Sequence, residues 1–193
     1  MRPLFGKGGL IYLLLLFGAT TLISCKEKIE KTDALHATDS ISTQTVHNMD
    51  LIETKYGRVH LRLQAPLMEN YSLVAEPFEI FQRGLKVQGY TPEGVLETEI
   101  TADRAIHQTT NSRERWEAYG NVVIVNHIKN ETIQTDTLYW DRANQRIYTN
   151  SFVKMFSPQG LMQGYGMESD ERAGNSWILR PFDSYGVVNN LDD

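Results

Sequence analysis

Apolar and polar residues alternate along much of the chain between residues 49 and 180, in short runs that end at Gly, Pro, Asn or Asp. The alternation is strict from Arg58 to Ala65, where every second side chain is apolar. A period of two with one polar face predicts an antiparallel strand that is buried on one side. No long helix-period pattern lies between the later strands. The chain is therefore predicted to have an all-β fold of consecutive antiparallel strands.

Turn residues divide these runs into successive strands. Arg83-Gly84 is predicted to close a hairpin between the strands on either side of it, and Pro66 either ends the second strand or marks a sheet edge. Residues 122–125 are apolar at every position, which predicts a strand that is covered on both faces. The predicted strands are 49–55, 58–65, 78–81, 85–89, 95–102, 101–108, 116–125, 131–140, 145–156, 161–168 and 176–180.

A weak internal repeat underlies the strands. Its copies begin at Thr101, Thr135 and Gly164, at intervals of 34 and 29 residues. Each copy consists of a predicted strand, a turn and a second strand. Such units stack hairpins side by side, so successive strands are expected to extend one elongated pair of sheets.

One face of the predicted strands supplies the apolar interior of this sheet pair. That interior is either an ordinary dry core or a groove for acyl chains, because methionine side chains adapt to irregular apolar shapes. The edge strands offer N–H and C=O groups to which another β-protein can add a strand. The residues predicted to point inward are Leu61, Leu63, Leu96, Ile100, Val122, Ile124, Leu138, Ile147, Val153, Met155, Leu161 and Met167.

Residues 1–24 have the features of a lipoprotein-type signal peptide. Arg2 and Lys7 form its basic start, and the apolar run of roughly 14 residues is short against the ~20 residues that span a bilayer. The segment ends in the sequence Leu-Ile-Ser-Cys, so Cys25 is predicted to become the lipidated N-terminus. An uncleaved transmembrane helix is the alternative.

Three further segments are expected after the signal peptide. Residues 25–48 are rich in Thr, Ser, Asp and Gln without a sustained period, which predicts a flexible tether. The folded domain is expected at residues 49–180, followed by a C-terminal tail at 181–193. Cys25 is the only cysteine, so no internal disulfide is possible.

The composition and motifs argue against several classes of function. The net charge is −5, the pI is about 5.6 and no basic patch stands out, so nucleic-acid binding is not expected. The three histidines of the predicted domain, His60, His107 and His127, lie in no nucleophile or metal-binding pattern. The sequence has no Gly-x-Ser-x-Gly motif and no phosphate loop. We expect no enzyme activity, no catalytic residue, no metal and no cofactor.

The second half of the chain resembles a known family. The runs Thr-Asp-Thr-Leu-Tyr-Trp-Asp from Thr135, Arg-Ile-Tyr-Thr-Asn from Arg146 and Gly-Tyr-Gly-Met from Gly164 resemble the repeat of the lipopolysaccharide-export β-jellyroll proteins. The resemblance covers about residues 50–180 and best fits LptC, the member anchored in the inner membrane, in the form carried by Bacteroidetes-like bacteria. The chain departs from the family's well-known members at its N-terminus, where a lipobox stands in place of a transmembrane helix.

The resemblance implies an open, V-shaped, twisted jellyroll of the OstA type. Such proteins take lipopolysaccharide from the membrane subunits of an ABC transporter and pass it to the next jellyroll, an LptA-like periplasmic bridge protein. The acyl chains of lipid A ride in the interior, so the first ten inward residues above, from Leu61 to Met155, become candidates for the lipid path. The C-terminal edge that meets the bridge protein would include Gly160, Leu161 and Gly164.

The implied location is the periplasmic side of the inner membrane, held by the lipidated Cys25, with the outer membrane as an alternative. A competing function is that of a structural envelope lipoprotein, a β-sandwich that scaffolds a complex or binds a glycan. A wide apolar mouth would favour transport. A closed core with a surface groove of aromatic residues would favour the scaffold, and the aromatic candidates are Trp116, Tyr119, Tyr139 and Trp140.

Overall fold

The computed structural model describes residues 41–110 and 113–186, and its strands form a single antiparallel sheet. The described residues contain twelve strands and no helix. The predicted all-β class of fold is therefore confirmed. The strands are β1 (Gln44–Lys55), β2 (Arg58–Tyr71), β3 (Phe78–Phe81), β4 (Leu85–Tyr90), β5 (Leu96–Ala102), β6 (Arg104–Thr110), β7 (Arg113–Asn126), β8 (Glu131–Asp141), β9 (Arg146–Ser157), β10 (Gly160–Asp170), β11 (Ser176–Pro181) and β12 (Tyr185–Gly186).

Strands β3 and β4 are two arms of one bent strand. β3 pairs with residues 69–71 of β2, β4 pairs with residues 61–64 of β2, and both pairings are antiparallel. Two successive strands that run antiparallel to the same neighbour run in the same direction, so they do not form a hairpin with each other. The predicted hairpin at Arg83-Gly84 is therefore wrong. Gly84, with a φ of 96°, instead turns the chain from one arm into the next.

Strands β5 and β6 repeat this arrangement one step along the sheet. β5 pairs with residues 123–126 of β7 and β6 pairs with residues 113–119, with a bend at Asp103 between them. The backbone N–H of Asp103 donates to the carbonyl oxygen of Gly120 at 3.0 Å, and its carboxylate accepts from Nδ2 of Asn121 at 2.6 Å. The bends of neighbouring strands thus lie beside each other and are joined by hydrogen bonds.

The long strands bend along the same line. The register shifts between Tyr119 and Val122 in β7, and between Tyr165 and Met167 in β10. Gly166 lies at the second of these bends with a φ of 77°, a conformation that L side chains rarely adopt. Each long strand, like each of the pairs β3–β4 and β5–β6, therefore gives one arm to each of two layers, which are joined along the line of bends.

Side chains from both layers meet in two apolar clusters. The N-terminal cluster brings Leu63 and Val87 of one layer against Met68 and Phe81 of the other. Ile100 packs against this cluster and against the larger C-terminal one, so the apolar interior is continuous along the sheet. The buried members of the C-terminal cluster are Ala102, Val122, Ile124, Ile133, Leu138, Ile147, Val153, Met155, Met167, Ala173 and Ile178.

The strands in the structure differ from the predicted strands in two details. β2 continues through Pro66, because the strand beside it is broken between β3 and β4 and no ladder partner stands opposite the missing N–H. Val123 and Val125, which were predicted to be covered, are only half-buried. Successive residues of a strand point to opposite faces, so these two face away from the cluster that holds Val122 and Ile124.

The strands extend beyond the predicted limits of the domain. β1 begins at Gln44, ahead of residue 49, and β12 pairs with β10 inside the predicted C-terminal tail. The predicted signal peptide and Cys25 lie outside the described residues, and the proposed division of the chain stays a prediction. Within residues 41–110 and 113–186, no helix combines the length and the apolar character needed to cross a membrane.

Candidate functional site: the interior, its mouth and the sheet edges

The residues predicted to line a lipid path lie on the strands of the two layers, and most of them are buried. Val122, Ile147 and Val153 have no exposed surface, so the C-terminal part of the interior is closely packed in this conformation. Their contact with lipid remains a prediction. The buried candidates are Leu63, Val122, Ile124, Leu138, Ile147, Val153 and Met155, and the half-buried ones are Leu61, Leu96 and Ile100. Of the other two inward residues, Met167 is buried and Leu161 is half-buried.

The two layers are joined along the bends, and the opposite side of the sandwich forms a mouth between them. The loop from residue 171 to residue 175, between β10 and β11, crosses this mouth. Oγ1 of Thr98 donates to the carbonyl oxygen of Arg172, and Nδ2 of Asn126 donates to that of Ala173 at 3.0 Å. Because Ala173 is fully buried in the C-terminal cluster, the loop closes this half of the mouth.

Ion pairs add to the closure at two places. Arg172 contacts Glu97 at 3.0 Å beside the loop. Farther toward the N-terminal half, Arg142 lies 3.1 Å from Glu114 and 3.4 Å from Glu53, and these two glutamates belong to different layers. Burial raises the pKa of Glu114, but the hydrogen bond and the positive charge of Arg142, together with Trp116 and His107, outweigh it and hold the pKa of that carboxyl below its usual value. The Arg142 contacts therefore connect charged groups across the mouth.

His107 and its neighbours form the rim of the N-terminal half. Nδ1 of His107 lies 2.9 Å from Oε2 of Glu79, and Nε2 lies 3.3 Å from Oε1 of Glu114. The hydrogen bond with His107 lowers the pKa of Glu79. The imidazole also stacks on Trp116 with 4.1 Å between ring centroids. A polar network thus covers the aromatic part of the interior on this side.

A pocket of about 70 Å³ remains between the loop and the Arg142 contacts, and we call it the mouth pocket. Its apolar wall combines side chains from both layers, and its rim is polar. Sequence reasoning identified Leu61 and Ile100 as inward-facing, but it missed the arginines, which lie in turns distant along the chain. The wall is formed by Leu61, Val87, Ile100 and Trp140, and the remaining lining residues are His60, Gly89, Tyr90, Thr98, Arg142, Glu171 and Arg172.

The four aromatic residues considered for a surface groove lie on two different faces. Trp116 and Trp140 point inward, where their rings stack with 6.3 Å between centroids. Tyr139 lies on the outer face and stacks on Tyr148 at 5.3 Å. Tyr119, also outward, donates to Glu117, and burial together with this hydrogen bond raises the pKa of Tyr119 to about 12. These residues therefore do not form the single groove that the sequence suggested.

The C-terminal edge of the sheet lies one strand beyond its predicted place. Gly160 and Leu161 pair with β12, and Gly164 pairs with β11, so β10 is covered on both sides. The glycines do permit a close backbone approach, but the approaching strands belong to this chain. The outermost described strands at this end are β11 and β12, where Trp177 and Leu179 are 50% and 47% exposed.

At the other end β1 pairs only with β2 among the described strands. Leu51 and Ile52 of β1 are 44% and 52% exposed. Each end of the sheet thus presents a strand with unpaired backbone groups and apolar side chains, which is the surface that strand addition uses.

The bent strands, the continuous apolar interior and the two apolar edges define a β-jellyroll suited to holding apolar groups. The family model "Lipopolysaccharide-assembly, LptC-related" matches residues 10–179. The chain therefore belongs to the LptC-related family, whose members are non-enzymatic proteins of the inner membrane and periplasm. Its role is in lipopolysaccharide transport. The search of curated proteins returned no match.

Proposed function

We propose that the chain is a membrane-anchored periplasmic jellyroll that receives lipopolysaccharide from an ABC transporter and hands it to the next bridge protein. The observation that supports this is the apolar interior, which runs without a break from the N-terminal cluster through Ile100 to the C-terminal cluster. Acyl chains would enter between the layers and replace contacts that the layers now make with each other. In this function the protein is a conduit, and ATP is hydrolysed elsewhere in the complex.

The energetics favour an apolar interior over a surface route. Each methylene moved out of water is worth about 0.8 kcal/mol, so an acyl chain of ~12 carbons gains on the order of 10 kcal/mol when fully covered. Separating the packed side chains opposes this gain, because Val153 and Ile124 lose part of their own burial. The net free energy that favours the interior is therefore smaller than the gross gain, which allows the acyl chain to be passed on to the next protein.

The two edges give the transfer a direction. The β1 edge would meet the transporter, and the β11 and β12 edge would meet an LptA-like bridge protein. Exposed apolar side chains such as Ile52 and Leu179 support both contacts. Backbone hydrogen bonds supply affinity in strand addition, and alternate side chains supply specificity.

The anchor proposed for this function is the lipidated Cys25. A single acyl chain binds a membrane only weakly, so stable anchoring requires two or more chains. Residues 25–43 would then connect the anchor to β1. The uncleaved helix and an outer-membrane location are the alternatives to this anchor.

Photo-crosslinking in the native envelope tests the proposal. A photoreactive residue is placed in turn at Ile124, Val153 and Met155, which are buried, and at Arg62, which lies outside the interior and pairs with Asp50. We expect ATP-dependent adducts with lipopolysaccharide at the interior positions and none at Arg62. Equal labelling at Arg62, or no lipopolysaccharide adduct anywhere, would refute the interior route.

One observation favours the scaffold function instead. The C-terminal cluster is closely packed, as expected for an ordinary core, with Val122 and Ile147 fully buried. A scaffold or glycan-binding lipoprotein would keep this core closed at all times. In the crosslinking experiment, a protein with this scaffold function would give adducts with protein partners alone.

A further inference from the structure

A second cavity adjoins the mouth pocket, and basic side chains dominate its lining. It has a volume of about 430 Å³ and shares two lining residues, His60 and Arg172, with the mouth pocket. Lys55 and Arg58 also line it, whereas no Asp or Glu among the described residues does. We call this cavity the basic pocket, after these four side chains. Its volume lies within the range of about 300–1,000 Å³ that is usual for small-molecule sites.

The hairpin between β1 and β2 holds two of these positive charges side by side. Its turn consists of Tyr56 and Gly57, which both have a positive φ, as tight two-residue hairpin turns require. Lys55 and Arg58 are therefore paired directly across the hairpin, with their side chains on the same face. Like charges placed opposite each other are destabilising, so an anion bound between them would relieve an unfavourable interaction.

The charges of this pair are not neutralised by a carboxylate in contact with them. Within the part of the chain that the structure describes, neither Lys55 nor Arg58 forms an ion pair. Nη1 of Arg58 donates to the carbonyl oxygen of Pro92 at 2.6 Å, which holds the guanidinium against another residue of the pocket wall. A guanidinium has five N–H groups, so this bond leaves donors for an anion.

Two further basic side chains lie where the basic pocket meets the mouth pocket. Arg172 lies 3.0 Å from Glu97, so its charge is partly balanced within the protein. His60 offers one N–H donor in either neutral tautomer. The excess of positive charge is therefore concentrated at the hairpin, and further donors stand on the side of the mouth.

Glu93 is the acidic residue that opposes an anion here. It is exposed in the turn between β4 and β5 and does not line the basic pocket. A hydrogen bond with Thr91 is the main cause of the lowered pKa of Glu93, and the charge of Arg58 contributes less. Glu93 thus weakens the positive field at Arg58 without filling the pocket.

We propose that the basic pocket binds the phosphate group of a phosphorylated sugar, carried as the head group of an amphiphile whose acyl chain enters the mouth pocket. Arg58 and Lys55 contact the phosphate oxygens, because guanidinium and ammonium groups both bind phosphate. The acyl chain lies against Leu61 and Ile100, which line the adjoining mouth pocket.

The size of the basic pocket fits a sugar ring together with its phosphate. A cavity of about 150 Å³ holds benzene, and the basic pocket is nearly three times as large. This site rests on the proposed transport function and deepens it, because it identifies the head group that the chain recognises.

The proposal is tested by NMR titration of the full chain, labelled with ¹⁵N-arginine and kept soluble in a non-ionic amphipol. The probes are N-acetylglucosamine 1-phosphate, N-acetylglucosamine and inorganic phosphate, all at the same ionic strength. We expect the phosphorylated sugar to shift the guanidinium signals of Arg58 and Arg172, and the neutral sugar to shift neither. One net hydrogen bond from the sugar changes affinity about fivefold, so inorganic phosphate should bind about fivefold more weakly.

Three substitutions at exposed positions assign the binding to this pocket. Arg58→Gln should weaken the binding of N-acetylglucosamine 1-phosphate about fivefold, the upper limit for one exposed charge contact. Glu93→Gln should strengthen it about twofold, because it removes the opposing charge. Arg83→Gln is the matched control, since Arg83 lies in a turn outside the basic pocket, and it should leave the affinity unchanged.

Several results would overturn the proposal. Equal shifts with the neutral sugar would do so, as would an equal loss of affinity in Arg83→Gln and Arg58→Gln. Equal affinity for inorganic phosphate would overturn the assignment to a phosphorylated sugar. Vesicles of phosphatidylglycerol test the other source of phosphate. Binding to them, without a response to the soluble sugar phosphate, would overturn the proposal in favour of contact with a membrane surface.

The outcome is independent of the transport function. A lipopolysaccharide adduct at Ile124 without a shift of the Arg58 signal removes the phosphate site and leaves the conduit. A shift of the Arg58 signal without any interior adduct removes the conduit and leaves the site.

Discussion

A methyl group added at Gly164 should displace the C-terminal edge strand, whereas the same change at Gly89 should not. Both glycines lie in strands outside the left-handed region of φ, so a side chain strains neither backbone. A Cβ at Gly164 would lie 2.3 Å from the carbonyl oxygen of Arg180 and 2.7 Å from Cγ2 of Ile178. At Gly89 the nearest atom is Cβ of Thr98 at 3.9 Å, which is an ordinary contact.

Two opposing effects decide how much each substitution changes the free energy of unfolding. Alanine in place of glycine, at a compatible φ, stabilises a protein by about 0.4–1 kcal/mol because it restricts the unfolded chain. Overpacking costs about 1–3 kcal/mol, and the oxygen at 2.3 Å belongs to the backbone, so it moves only together with β11. We expect Gly164→Ala to lower the free energy of unfolding by about 1–2 kcal/mol. Gly89→Ala should leave it unchanged or raise it by up to about 1 kcal/mol.

Urea denaturation of the two variants measures this difference, and amide hydrogen exchange locates it. Gly164→Ala should lose protection in β11, at residues such as Ile178, while the strands around Gly89 keep theirs. If Gly164→Ala were as stable as the original chain and kept the protection of β11, the close packing of β11 on β10 would be incorrect. The assignment of the C-terminal edge to β11 would then have to be withdrawn.

Three further predictions concern the interior and its mouth. Ile124→Ala should lower the free energy of unfolding by about 2–5 kcal/mol, whereas Ile128→Ala, at an exposed turn residue, should change it by less than about 0.5 kcal/mol in the same urea assay. Asn126→Ala should cost about 2–3 kcal/mol and raise amide exchange in residues 171–175, because the Asn126 side chain holds Ala173 and two turn N–H groups. The pKa of Glu79 is lowered in the folded chain, so its contribution to stability is present above its usual value of 4.5 and is lost as the pH falls below that value. Glu79→Gln should therefore reduce the loss of stability below about pH 5 and leave the pH dependence near pH 7 unchanged.

The sequence predicts the strands better than it predicts their bends. Alternating side chains mark β2 and β7 to β11 because each strand has one face toward an interior. A glycine such as Gly84 marks a change of direction, but it does not say whether the chain reverses into a hairpin or bends into a second arm. That choice depends on β2, which is long enough to pair with both arms. The bends at Gly120 and Gly166 depend in the same way on the neighbouring strands.

Some parts of the candidate site can be predicted from the sequence, and others cannot. The inward positions of Leu61 and Leu63 can be predicted from the strict alternation of apolar and polar residues along β2. The mouth pocket cannot, because Trp140 and Arg172 approach Leu61 only after the two layers close on each other. A strand was predicted at residues 176–180, but the local pattern does not show that this strand and the two-residue β12 both pair with β10, so the edge was assigned to Gly164.

Whether the interior can admit an acyl chain depends on how strongly the mouth is held. The contacts that cross it are three hydrogen bonds to loop carbonyl groups, from Thr98, Asn126 and Lys129, and ion pairs of Arg172 and Arg142. Each hydrogen bond contributes about 1 kcal/mol, and each partly exposed ion pair contributes less than that. Together, these polar contacts hold the mouth closed by about 4 kcal/mol. About five methylenes at ~0.8 kcal/mol each offset these contacts. An acyl chain is longer than this, so its own burial is sufficient to open the polar contacts, and the close packing around Val153 is then the remaining barrier to its passage.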